Sequence, residues 1–150
     1  MALNMQGEER IGAPIGKVWE ALNDPEVLKE CIPGCQSLEK TADNELAATV
    51  VLKIGPIKAT FTGAVTLTNL NQPSGYTISG EGKGGVAGFA KGGADVTLTE
   101  DGPNTTVLKY TAKADVGGKI AQLGSRLIES TSKKLAGQFF STFNETVSVA

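Results

Sequence analysis

The spacing of apolar positions changes period along this chain, and each change predicts a change of backbone. Residues 3 to 11 mix apolar and polar positions and predict a first strand, closed by Gly12 and Ala13. From Pro14 the residues Ile15, Val18, Trp19 and Leu22 recur at i, i+3, i+4 and i+7, one face of a helix, and proline is tolerated in a first helical turn. Asp24-Pro25 predicts a second short helix with Asp24 as N-cap, Val27, Leu28, Cys31 and Ile32 on one face, and Pro33-Gly34 as its end.

From Gly34 to about Val116 the period falls to two. Leu46, Ala48, Val50, Leu52 and Ile54 alternate with their neighbours, then Ile57, Ala59, Phe61, Gly63, Val65 and Leu67 alternate with a Thr-rich set. Gly55-Pro56 predicts the turn between these strands, and residues 71–75 a looser one. Alternation is weaker over 75 to 83 and 86 to 100, and residues 101–104 separate it from Thr106, Leu108, Tyr110, Ala112 and Ala114. Turns this short join antiparallel neighbours, because a parallel pair needs a crossover of a dozen or more residues, so the sheet is a predicted meander. From Gly117 to about Val147 the helical period returns, with Ile120, Leu123, Leu127, Ile128, Thr131, Leu135, Phe139 and Phe143 along one side. This predicts one helix of about 28 residues, roughly 40 Å long, packed across the meander.

The chain has 150 residues, the size of one domain spanning 1–150, with 40% hydrophobic and 20% charged positions, a globular balance without a membrane-spanning run. Lys plus Arg is 14 and Asp plus Glu is 16, a net charge of −2 that is too balanced to suggest a nucleic-acid or an anionic-membrane partner. There is no His, which removes the commonest general base and a common metal ligand. Cys31 and Cys35 stand in a C-x3-C spacing with no second pair to complete a metal site, so no metal is expected. The N-terminus lacks a basic region followed by an apolar stretch, which predicts a cytoplasmic protein. Gly80, Gly82 and Gly85 satisfy G-x-G-x-x-G, but the residues after them alternate like a strand instead of opening a helix, so they do not predict a dinucleotide site.

An antiparallel sheet bent around a long helix encloses a cleft, and apolar clefts are default ligand sites. This order of elements resembles the α+β helix-grip fold of the START and Bet v 1-like superfamily: a curved antiparallel sheet around a long C-terminal helix, with two short helices after the first strand. Ala13-Pro14-Ile15-Gly16-Lys17-Val18-Trp19, Cys31-Ile32-Pro33-Gly34-Cys35 and Gly55-Pro56-Ile57 resemble the carbon monoxide dehydrogenase G-subunit (CoxG) family. So do Gly80-Glu81-Gly82-Lys83-Gly84-Gly85-Val86-Ala87-Gly88-Phe89-Ala90 and the segment from Gly117-Gly118-Lys119 to Arg126-Leu127-Ile128. The resemblance implies an accessory protein of a molybdenum hydroxylase, without a cofactor of its own, that aids maturation, electron-acceptor delivery or recruitment to the inner face of the membrane. Some members carry a membrane-binding extension beyond the long helix. Here the pattern ends near Ala150, which implies peripheral or transient membrane contact instead of an anchor.

Candidate lining residues follow from the apolar faces that should meet between sheet and helix: Phe61, Val65, Tyr76, Leu108, Tyr110, Leu123, Leu127 and Phe139. Gly88 and Gly92, within a small-residue wall, are expected to leave room for a quinone-like or lipid-like ligand, and replacing either with Leu should then block uptake in a folded chain. Catalysis would need an inward acid or base, and Glu8, Glu9, Asp95 and Asp115 are not paired by their spacing, so no catalytic residue is predicted. A docking factor without a ligand, and a helix-grip cyclase or dehydratase, are the alternative readings.

Overall fold

In the computed structural model, which describes residues 1–148, seven strands form one antiparallel sheet. They are β1 (Ala2–Ile11), β2 (Cys35–Ala42), β3 (Glu45–Ile54), β4 (Ile57–Asn71), β5 (Gly75–Lys83), β6 (Phe89–Glu100) and β7 (Thr106–Gly117). Strands β2 to β7 follow one another as hairpins, the predicted meander, while β1 pairs with β7 at the far edge. Helices α1 (Ile15–Leu22) and α2 (Pro25–Cys31) carry the chain from the β1 edge to the β2 edge. The Asp24 side chain caps α2 by accepting from the Glu26 N–H at 3.0 Å, with Pro25 in the first turn.

Helix α3 (Ser125–Val147) contacts both β1 and β3. Those strands lie five places apart, about 24 Å in a flat sheet, so a helix about 10 Å wide reaches both only because the sheet curves around it. This is the helix-grip arrangement. The predicted single helix from Gly117 is broken: Lys119–Leu123 forms a 3-10 turn, and Gly124, at φ 95°, sits in the left-handed region where a helix cannot pass through. Helix α3 therefore has 23 residues, roughly 35 Å. Gly85–Ala87 likewise forms a 3-10 turn, so β6 begins at Phe89 and not at residue 86. The alternation left β2 unassigned, because its register shifts at both ends and blurs the period.

Two apolar clusters occupy the concave face. One packs Trp19 and Leu22 of α1, Tyr76, Leu98 and Leu108 of the sheet, and Phe143 of α3. Its aromatics interlock: Trp19 meets Tyr76 edge-on at 5.5 Å, and Phe139 stacks on Phe143 at 5.8 Å. Polar ties close this end, since the buried Thr106 hydroxyl donates to the Ala13 carbonyl at 2.8 Å and the Gly12 N–H donates to Asn144 Oδ1 at 3.0 Å. The second cluster joins Ile54, Ala87, Val116, Ile120 and Ile128.

Candidate functional site: an apolar cavity

Between the two clusters the concave face is hollow, with a partly open cavity of about 560 Å3 under the N-terminal half of α3. Its walls follow from strand alternation. Even positions of β3, β5, β6 and β7 and odd positions of β1 and β4 face inward, and in the middle of the sheet these positions are small. Gly80 lies opposite Gly92, which lies opposite Ala114, and in the next row Gly63, Gly82 and Ala90 are neighbours. Larger residues frame the space: Leu3 and Met5 of β1, Val50 and Leu52 of β3, and Ile78 of β5. Ile128, Thr131, Ser132 and Leu135 of α3 form the roof, while Ile32 and Pro33 close one side between α2 and β2.

The chemistry of this lining is nearly all hydrocarbon. Glu81, Lys91 and Lys113 border the cavity, but their side chains are exposed and occupy outward positions of the alternation. The polar side chains of the roof are two hydroxyls, and that of Ser132 is already donated to the Ile128 carbonyl at 2.8 Å. Of the four carboxylates considered from sequence, Glu8, Asp95 and Asp115 are exposed, and Glu9 is inward but away from the cavity lining. Among the described residues no group of His, Cys, Asp or Glu could hold a metal ion. Burial pushes the Cys31 and Cys35 thiols up, against an opposing hydrogen bond to Thr146 for the first and the Lys29 charge for the second. Both are free thiols.

Three of the residues expected at the cavity line it: Phe61, Val65 and Gly92. Tyr76, Leu108 and Phe139 share the inward face but sit in the aromatic cluster, where α1 and Phe143 fill the space in front of them. Tyr110 stacks on Phe140 at 5.5 Å, away from the cavity lining, and burial with the nearby Glu9 charge pushes its hydroxyl up. Leu123 packs against the second cluster from the 3-10 turn, and Leu127 lies over the Gly55 turn. Gly88 shapes the β5–β6 turn, at φ 121°, instead of lining the cavity.

The glycine wall also differs from expectation in what holds it. A Cβ on Gly92 would strike the Lys113 carbonyl of β7, and one on Gly88 the Gly117 carbonyl, so a leucine at either would disturb the sheet before it filled the cavity. Gly82 is the exception, with nothing within 4 Å of the place its Cβ would occupy. Gly80, Gly82, Ala112 and Ala114 also line the cavity, the two glycines within the glycine-rich stretch expected to open it and the two alanines outside the expected set. The available signal was that all four are small and of one parity within predicted strands.

This architecture recurs in solved structures. A protein from Geobacillus kaustophilus is 31% identical, with a TM-score of 0.91 over 97% of this chain and 95% of that one. A START superfamily protein from Mycobacterium smegmatis is 13% identical, with a TM-score of 0.73 over 96% of each chain. An aromatase/cyclase, Zhui, from Streptomyces sp. R1128 is 10% identical, with a TM-score of 0.73 over 98% of this chain and 94% of that one. The fold is thus that of the START and Bet v 1-like helix-grip proteins. A comparison with curated protein sequences gives no match. The model of the carbon monoxide dehydrogenase G-subunit (CoxG) family matches residues 7–148, and the chain belongs to that family.

Proposed function

We propose that this chain is a non-enzymatic accessory protein of a carbon monoxide dehydrogenase-type molybdenum hydroxylase. It holds a quinone-like or lipid-like molecule in the cavity and serves the enzyme in electron-acceptor delivery, membrane recruitment or maturation. The observation that carries this reading is the cavity itself: about 560 Å3 of space walled by Gly, Ala and aliphatic side chains, with no ionisable side chain turned into it. Burial of apolar ligand area contributes roughly 25 cal/mol per Å2, so such a site favours a hydrocarbon body, whereas acid–base chemistry needs a proton-transferring group within reach.

The test is native mass spectrometry of the protein after incubation with vesicles containing decylubiquinone or palmitate. A one-to-one complex is expected, and Gly82→Leu should abolish it in a chain that unfolds at the wild-type urea midpoint. Failure to retain either probe, or equal retention by Gly82→Leu, would overturn the carrier reading.

A further inference from the structure

The near-zero net charge hides a strong separation along the strand axis. Three turns meet at the cavity end of the sheet: the β3–β4 turn, the β5–β6 turn and the segment leading into α3. They touch one another, since Leu127 lies over Gly55, Phe61 over Gly84, and Gly88 against Gly117 and Gly118. Residues 53–58, 83–89 and 117–127 contain Lys53, Lys58, Lys83, Lys119 and Arg126 and no Asp or Glu. All five cations are exposed, and among the described residues only Lys83 lies within 4 Å of a carboxylate, that of Glu81 at 3.8 Å. At the other end, residues 42–45 and 100–106 carry Asp43, Glu45, Glu100 and Asp101 and no Lys or Arg, although Arg10 of β1 pairs with Asp101 there.

The cationic end is also the apolar one. Val86, at the tip of the β5–β6 turn, is 84% exposed, and Phe89 beside it is 40% exposed. Directly beneath, Ala87 is buried with Ile54, Val116, Ile120 and Ile128, and the last four line the cavity. The exposed tip and the cavity therefore share one layer of side chains.

We propose that this end docks on an anionic lipid bilayer, with Val86 entering the interface and the lysines meeting lipid phosphates. An aliphatic tip ringed by long cationic side chains suits that surface, because the stems lie along apolar groups while the ammonium heads stay at the phosphates. A protein partner is the poorer fit, since protein interfaces are depleted in lysine and four of the five cations are lysines. This inference deepens the carrier reading by naming the surface through which the cavity meets its source of ligand, but its test does not need the ligand.

Flotation with phosphatidylcholine vesicles, with or without phosphatidylglycerol at 30 mol%, reads the docking directly. Binding is expected only to the anionic vesicles and should be lost as salt rises from 50 to 500 mM, the behaviour of charge-driven contact. Lys53→Glu/Lys58→Glu/Lys119→Glu should weaken partitioning by at least about a hundredfold, at about fivefold per charge. Val86→Asp, at an exposed tip, should weaken it about tenfold without moving the unfolding midpoint. Wild-type protein that does not float with anionic vesicles, or a triple variant that floats as well as wild type, would overturn the proposal. So would lysine-dependent capture of the dehydrogenase by a protein indifferent to vesicles. If the protein floats as expected yet never retains decylubiquinone or palmitate, the docking stands and the carrier reading alone falls.

Discussion

The two ends of the concave face are built from the same strands and the same helix, yet one is solid and the other hollow. At the solid end α1 supplies Trp19, the sheet supplies Tyr76, Leu98 and Leu108, and the C-terminal half of α3 supplies Phe139 and Phe143. Under the N-terminal half of α3 the inward rows shrink to Gly63, Gly80, Gly82, Ala90, Gly92, Ala112 and Ala114, and no third layer fills the gap. Burial of the large aromatic side chains is concentrated at one end, while at the other a smaller cluster of Ile54, Ala87, Val116, Ile120 and Ile128 closes the space. The aromatic packing and the cavity are thus set by different residues on one surface.

Substitutions should separate the two ends by size of effect, read as urea midpoints at constant m. Phe143→Ala, at a fully buried position, should cost about 3–5 kcal/mol, the largest loss of the set. Gly92→Leu should cost about 3 kcal/mol by forcing a side chain against the β7 backbone, and a stable Gly92→Leu protein would contradict the close approach. Leu135→Ala, which only enlarges space already present beside a half-buried side chain, should cost about 1–2 kcal/mol. If it cost as much as Phe143→Ala, the contrast between the ends would fail. Gly82→Leu should leave stability within about 1 kcal/mol while abolishing ligand retention.

A last variant tests the solid end by pH. Burial raises the Tyr76 hydroxyl well above its ordinary value of 10.0, so the fold favours the neutral phenol. That contribution is complete below about pH 10 and is lost as the pH rises toward the folded-state value. Tyr76→Phe should therefore show a shallower alkaline loss of stability than wild type between pH 9 and 11. Identical profiles would mean that the hydroxyl is not shielded by the cluster.

Most of the fold was legible in sequence because it rests on local periods. Alternation over 46–54 and 57–67 located β3 and β4, and the i, i+3, i+4 spacing located α1, α2 and α3. What the periods could not carry was depth. Tyr76 and Ile78 lie two residues apart on one face, yet Tyr76 is covered by Trp19 and Ile78 borders the cavity, a difference made by a helix distant in sequence. The same limit separates Phe61 and Val65, which line the cavity, from Leu108 and Phe139, which share the inward face but pack in the aromatic cluster. It also explains the charges: a net −2 is a sum, and only the strand order brings Lys53, Lys83 and Lys119 to one end and Asp43 and Asp101 to the other.

The open space before Gly82 has a consequence for how this scaffold can diverge. Gly63, Gly80 and Gly92 are held by neighbouring backbone, so changing them means rebuilding the sheet. Among the lining glycines, position 82 has open space into which carbon atoms can be added one at a time, each taking up cavity volume. Under the carrier reading, cargo length is therefore a quantity that single-residue drift can retune, while the framework around it stays fixed.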